Sequence, residues 1–259
     1  MPRYGFCFDM IERLFYTPNI DGTTGSEYLL NEEESNHCVK VLRLGCGGIV
    51  HLTDGKGTLL QAAIVQIMPK ACKVRIVERF DRWEARPYHL HLAVAPTKSM
   101  ERYEWMVEKV TEVGVDEVTP VICARSERKV FKTDRLERIA VAAIKQSLKT
   151  LLPIIHPATS FHKLIDTPFD GIKLMAHCGS GARISLEEAL ATSNPQSGAR
   201  RCLILIGPEG DFTPEEVTDA EAKGFQSVHL GASRLRTETA GVVATIGVYL
   251  EAEGGKRKG

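Results

Sequence analysis

Apolar and polar positions change rhythm near residue 87. Before that point the chain runs in short β-rich stretches: RLFYTP (13–18), GIVHLTD (48–54), TLLQAAIVQI (58–67) and KVRIVERF (73–80). Asp54-Gly55-Lys56-Gly57 lies between two of them and predicts a hairpin turn. NEEESNHCVKVLRL (31–44) has acids at its front and basic residues late, which predicts a short helix among the strands. Several short strands and one helix predict a small β-barrel.

From Tyr88 onward, strands and helices alternate. YHLHLAVAP (88–96), VTPVICA (118–124), GIKLMAHC (171–178), RCLILIGP (201–208) and SVHLG (227–231) read as strands. Between them, 99–114 carries Tyr103, Met106, Val107, Val110 and Val113 on one helical face, and 133–150, 185–192 and 213–224 also read as helices. LGASRLRTETAGVVATIGVYL (230–250) supplies a last helix. This alternation predicts a parallel α/β sheet covered on both faces. WEARP (83–87) is the expected linker, giving domains 1–86 and 87–259.

The chain has 259 residues, 43% of them hydrophobic and 25% charged, which suits a globular protein of two domains. No apolar run approaches the roughly 20 residues of a membrane span, and the N-terminus lacks the apolar core of a signal peptide. Seven scattered cysteines without a C-x-x-C pair predict reduced thiols and a cytoplasmic location. A net charge of +0 excludes a globally basic nucleic-acid binder but not a local patch. Residues 122–150 hold eight Lys/Arg against three acids, either a solvated helix face or a surface for phosphates.

In an open α/β sheet, ligands bind beyond the carboxyl ends of the strands. The residues that follow four of the strands are Pro96 to Lys98, His177 to Gly181, Gly207 to Asp211, and Gly231 with Arg234 and Arg236. Three of these turns bear glycine, which lets backbone groups approach a ligand closely. Thr213, Pro214 and Glu216 form a capping box that fixes one turn. Thr237 reads as the N-cap of the last helix, with Glu238 and Thr239 in its first turn. Arg234 and Arg236 sit at the wrong helix end for a cation, so they point to an anionic ligand or partner. There is no P-loop, nucleophile elbow or dinucleotide fingerprint. His89 and His91 face the same way on a strand, but no third ligand is in sight and no metal is expected.

LILIGPEGDFTPEEV (203–217) and LGASRLRTETAGVVA (230–244) strongly resemble signature segments of the RsmE-type enzymes, the 16S ribosomal RNA uridine-N3 methyltransferases of the SPOUT class. The likeness also covers 13–18, 37–44, 96–120, 124–129 and 145–153. It departs at Asp211, where the family usually has glycine, at Lys149, near which an arginine is common, and in a ten-residue N-terminal extension. The resemblance implies an N-terminal PUA-like barrel for RNA and a SPOUT parallel sheet whose chain forms a C-terminal trefoil knot. It also implies a homodimer, S-adenosyl-L-methionine as cofactor, and one uridine of 16S rRNA in the small ribosomal subunit as substrate. The knot rests on the resemblance alone, because general topology rules argue against knots.

On this reading the cofactor-binding set is His177, Gly179, Ile206, Gly207, Pro208, Glu209, Gly210, Leu230, Gly231, Leu235, Arg236 and Thr239. Uridine N3 must lose a proton before it can attack, which calls for a base or for a cation that stabilises the anion. Arg236 is the expected cation and Glu209 or Glu238 the expected base; helix capping equally explains Glu238. Arg13, Arg43, Lys98, Arg125, Arg128, Lys129 and Lys149 are the expected RNA contacts. Val242, Val243, Ile246 and Tyr249 offer either a dimer face or core packing. Two other functions stay open: a SPOUT ribose 2′-O methyltransferase, whose relatives carry a serine- and asparagine-rich motif where this chain has LRTETA, and a non-catalytic ribosome-assembly factor.

Overall fold

The structure, a computed structural model, describes residues 11, 13–179, 181–192 and 200–254. The ten-residue N-terminal extension and Ser180 lie outside the described residues. The chain divides into two compact units. One comprises residues up to Ala85 together with Ile144–Leu152, and the other Arg86–Ala143 with Pro153 onward.

The first unit is a five-stranded sheet in the order β1-β3-β4-β5-β2, with β1 Leu14–Tyr16, β2 Glu27–Leu29, β3 Ile49–Thr53, β4 Leu59–Met68 and β5 Ala71–Phe80. All pairings are antiparallel except β1 with β3. Two register shifts along β4 and β5 bend the sheet around Phe15, Leu30, Leu52, Leu60, Ile64, Val74 and Ile76. Asp54 makes the β3–β4 turn, its Oδ1 accepting from the backbone N–H groups of Lys56 and Thr58. The expected helix starts as α1 (Glu32–Asn36), where Asn31 accepts from the Glu34 N–H, and continues as a π-helical turn over His37–Val41.

Residues 144–152 join this unit for a local reason. The helix expected over 133–150 stops at Gln146, because Leu148 adopts a left-handed backbone with φ 58°. The segment beyond is pinned to the hairpin: the Thr150 carbonyl accepts from Gly57 N and from Thr53 Oγ1. Lys145 meets the buried Glu34 carboxylate at 2.6 Å, and Lys149 meets Glu84 at 3.1 Å.

The second unit is built on an all-parallel sheet in the order β11-β13-β10-β12-β6-β7-β8. These strands are β6 Tyr88–Val94, β7 Glu117–Ile122, β8 Ile154–Ile155, β10 Ile172–Ala176, β11 Ile184–Ser185, β12 Arg200–Ile206 and β13 Gln226–His229; β9 Thr159–Ser160 pairs separately with β7. The RCLILI run is apolar at consecutive positions because β12 lies between two neighbours and is covered on both faces. Helices α2 Met100–Val113 and α7 Thr237–Gly254 pack together, and a Cβ on Gly241 would lie 2.6 Å from Met106 Sδ. Helices α3 Asp134–Gln146, α4 Phe161–Asp166, α5 Leu186–Thr192 and α6 Pro214–Ala222 complete the set. β2, β8, β9, β11 and α4 are too short to show a period, and none was expected. Among the described residues no helix is long and apolar enough to cross a membrane.

Candidate functional site

Chain order places β12 on one side of β10 and β13 on the other, so the order in which strands are added reverses at β10. At the carboxyl end of such a switch point the two flanking turns splay apart and leave a crevice. Here it is a cleft of about 420 Å³, walled by the ends of β10 and β12 and by the segment leading into α7. That size suits a small-molecule ligand.

Side chain to backbone bonds lock the turns together. Thr237 Oγ1 donates to the Gly207 carbonyl at 3.1 Å, in a buried setting. Asp211 Oδ2 accepts from Cys178 N at 2.9 Å, joining the turn after β12 to the turn after β10. Glu209 Oε1 accepts from Lys98 N at 3.0 Å, which brings in the turn after β6. Arg125, beyond β7, donates to the carbonyls of Gly210 and Phe212. The capping box is present, with Thr213 and Glu216 bonding reciprocally. Gly207 needs to be glycine, since a Cβ there would lie 2.9 Å from the Phe212 ring.

Thr237 does not cap α7 as expected. It is the first helical residue, its hydroxyl is engaged with Gly207, and Arg236 supplies the carbonyl that accepts from Ala240 N. The guanidinium groups of Arg234 and Arg236 are exposed and form no ion pair among the described residues. Two free cations therefore stand at the mouth of the cleft. His177 is fixed from both sides. Gly179 N–H donates to Nδ1, so Nε2 carries the proton and donates to Ser227 Oγ, which in turn donates to Glu221. Burial, followed by the repulsion of Arg183, holds the imidazole below its ordinary value despite Asp211.

Of the expected cofactor set, His177, Ile206, Gly207, Pro208, Glu209, Gly210, Leu235 and Arg236 line the cleft. Leu230 and Gly231 line a neighbouring cavity of about 520 Å³ with His229, Val243 and Gly247. Gly179, Thr239 and Glu238 belong to neither lining. Glu238 is buried, with Oε1 3.8 Å from Arg102 Nε and Oε2 without a hydrogen bond among the described residues. Ala176, Thr237 and Ala240 line the cleft without having been expected there, and Cys178 and Asp211, expected at the ligand edge but not in the cofactor set, line it too. Asp211 carried a signal: it adopts φ 59°, a conformation that glycine takes freely and aspartate tolerates, at the position where the resemblance has glycine.

The expected RNA contacts divide into two groups. Arg13, Arg43 and Lys129 are exposed and form no ion pair among the described residues. The others are occupied: Arg125 as above, Arg128 on the Lys98 carbonyl, Lys98 with Glu127, and Lys149 with Glu84. The six cysteines among the described residues are free, as expected.

Residues 84–248 match the model of the RNA methyltransferase domain, and residues 30–77 that of the RNA methyltransferase PUA domain. The chain belongs to the RsmE family of RNA methyltransferases. A member from Mesomycoplasma hyopneumoniae, a ribosomal RNA small subunit methyltransferase E, is 31% identical over 69% of this chain and 77% of its own length. A crystal structure of a probable rRNA-methyltransferase from Porphyromonas gingivalis superposes with a TM-score of 0.83 at 39% identity, covering 93% of this chain and 99% of that one. The ribosomal RNA small subunit methyltransferase E of Neisseria gonorrhoeae, solved bound to S-adenosyl methionine, gives a TM-score of 0.78 at 25% identity over 90% of this chain and 95% of its own. The RsmE family thus accounts for both units, the parallel α/β sheet and the PUA domain.

Proposed function

We propose that this protein transfers the methyl group of S-adenosyl-L-methionine to N3 of one uridine in 16S rRNA of the small ribosomal subunit. The observation that carries this reading is the cleft at the β10 switch point, closed by glycine turns and flanked by the unpaired Arg234 and Arg236. The residues fit the cofactor. Ala176, Ile206, Leu235 and Ala240 offer apolar walls for adenine, the backbone of Gly207 to Gly210 offers polar groups at close range, and the arginines offer charge to a carboxylate.

When bound, the cofactor supplies a methyl group already activated by its sulfonium. The chain's task is then to hold uridine in line and to make N3 nucleophilic; positioning of this kind is worth roughly 7–11 kcal/mol in favourable cases. Glu209 lines the cleft and takes the N3 proton, its carboxylate held by Lys98 N. Arg236 stabilises the uridine anion. Glu238 lies outside the lining and is assigned to the start of α7, through Arg102. Leu230, Gly231, Gly179 and Thr239 are left out of the proposed binding set. Arg13 and Arg43 of the first unit and Lys129 of the second are the proposed phosphate contacts.

The same proposal holds that the first unit binds RNA and the second the cofactor, and that the protein works as a cytoplasmic homodimer. It also holds that the second unit is knotted, as the resemblance to the family implies. The test incubates small subunits from cells lacking the activity with labelled cofactor and either the wild type or Arg236→Ala. N3-methyluridine at one site, lost in the variant, is expected. Label on ribose, or cofactor binding without any label, sinks the reading.

A further inference from the structure

The sequence offers His89 and His91 on one face of β6; folding sets two further ligands beside them. Glu117 opens β7 directly opposite His91 in the parallel register. His156 follows β8, the last strand of the sheet, and its N–H donates to the Val118 carbonyl. Glu117 Oε2 lies 2.6 Å from His156 Nε2 and 3.8 Å from His91 Nδ1. The three ligand atoms all fall within 4.8 Å of one another. This cluster sits at the amino end of β7, roughly 16 Å along the strand from the cleft edge at about 3.3 Å per residue, so it belongs to a different place in the fold.

The donor set is that of a first-row divalent ion. Two imidazoles and one carboxylate suit zinc, whose bonds of about 2.0–2.2 Å separate tetrahedral donors by roughly 3.4 Å. The observed separations bracket that spacing, so small side-chain rotations admit an ion. The outer contacts are also in place. His91 Nε2 bonds Thr119 Oγ1 at 2.7 Å, which leaves Nδ1 turned toward the carboxylate, and His89 Nε2 holds the other carboxylate oxygen at 2.7 Å. Metal-binding histidines and carboxylates are ordinarily oriented by such partners. His156 is one-third exposed, which leaves the ion a way in and a position for water.

We propose that His91, Glu117 and His156 form a site for one divalent transition-metal ion, zinc by preference, with His89 and Thr119 orienting the ligands. The ion joins β6, β7 and the two-residue β8, and so staples the edge of the sheet. The test strips the full-length protein with a chelator and titrates it first with Co²⁺ and then with Zn²⁺. One Co²⁺ per chain with a visible ligand-field spectrum, displaced by one equivalent of Zn²⁺, is expected, together with a higher melting temperature in zinc. His156→Ala and Glu117→Gln each weaken zinc binding by at least about 100-fold, and His89→Ala by about 10- to 100-fold. His162→Ala, at an exposed position of α4, leaves it unchanged. If Glu117→Gln does not fold, His156→Ala at the exposed strand end decides. Absence of saturable binding, or one-to-one binding that survives His156→Ala, overturns the proposal.

Discussion

The hydroxyl of Thr237 donates to the carbonyl of Gly207 at 3.1 Å, and both residues are buried. One bond thus ties the first residue of α7 to the turn after β12, the two elements on either side of the cleft. Removing a buried donor leaves the carbonyl unsatisfied, at about 1–3 kcal/mol. Thr237→Val, which keeps the shape, is expected to lower the melting temperature by several degrees and to weaken cofactor binding. Thr237→Ser is expected to retain both. Calorimetric unfolding and titration of the two variants check this; equal behaviour of Val and Ser would show that the hydroxyl is idle.

Gly207 is held to glycine by Phe212, which is buried and packs 5.9 Å from Phe161, centroid to centroid. A methyl group at 207 meets the ring at 2.9 Å and must push it into a filled core. Overpacking of this kind costs about 1–3 kcal/mol. Gly207→Ala should therefore lower cofactor affinity about tenfold. Adding Phe212→Leu should recover part of the loss, as read by calorimetric titration. A double variant no better than the single would place the strain elsewhere.

Arg236 and Glu238 are two residues apart and should fail in different ways. Arg236 is exposed and free of ion pairs among the described residues, so Arg236→Ala should leave the melting temperature nearly unchanged. Removing a charge that stabilises a developing anion typically lowers kcat by about 10²–10³. Glu238 is buried beside Arg102, so Glu238→Gln should lower stability and have a smaller effect on kcat. Steady-state methylation and thermal unfolding, run on both variants, separate the roles. A full loss of kcat in a well-folded Glu238→Gln would make that carboxylate the base.

How far the sequence foretold this arrangement can be seen residue by residue. The β6, β10 and β12 strands carried apolar stretches and β13 the short SVHLG, so the edge where their turns meet was legible, and with it Gly207, Glu209 and Arg236. Thr237 was misread because capping is a local rule, whereas its bond to Gly207 joins residues 30 apart. Arg125 and Lys149 looked like surface cations. Only the fold reveals the carbonyls and the carboxylate that occupy them. The His91 cluster was illegible for the same reason: its parts come from β6, β7 and the residue after β8.

Lys149 also separates a stability role from an RNA role. Its ammonium meets Glu84 at 3.1 Å, with both side chains largely buried. Breaking such a pair from one side costs about 3–5 kcal/mol. Lys149→Ala should therefore melt at a lower temperature while keeping the salt dependence of RNA binding. Removing one exposed cation that neutralises a phosphate, as in Arg13→Ala or Arg43→Ala, should instead reduce the slope of log affinity against log salt by about 0.7–0.9. Filter binding across a salt series measures both. An unchanged slope in the arginine variants would remove them from the RNA surface.

Cys178 gives a probe of the cleft that does not depend on catalysis. It is exposed and lines the cleft beside Asp211, whose carboxylate accepts from its backbone N–H. Burial pushes the Cys38 and Cys202 thiols up to about 12, and raises those of Cys72 and Cys123 as well. Thiolate, not thiol, is the reactive form, so these four should resist alkylation near neutral pH. Among the described cysteines, only Cys46 and Cys178 should then react with iodoacetamide. If S-adenosyl-L-methionine occupies this cleft, a saturating concentration should slow labelling of Cys178 severalfold and leave Cys46 unaffected. Peptide mass spectrometry reads both sites in one sample, so Cys46 serves as an internal control. Equal labelling of Cys178 with and without the cofactor would move the binding site away from the β10 turn, whatever the variants at Arg236 had shown.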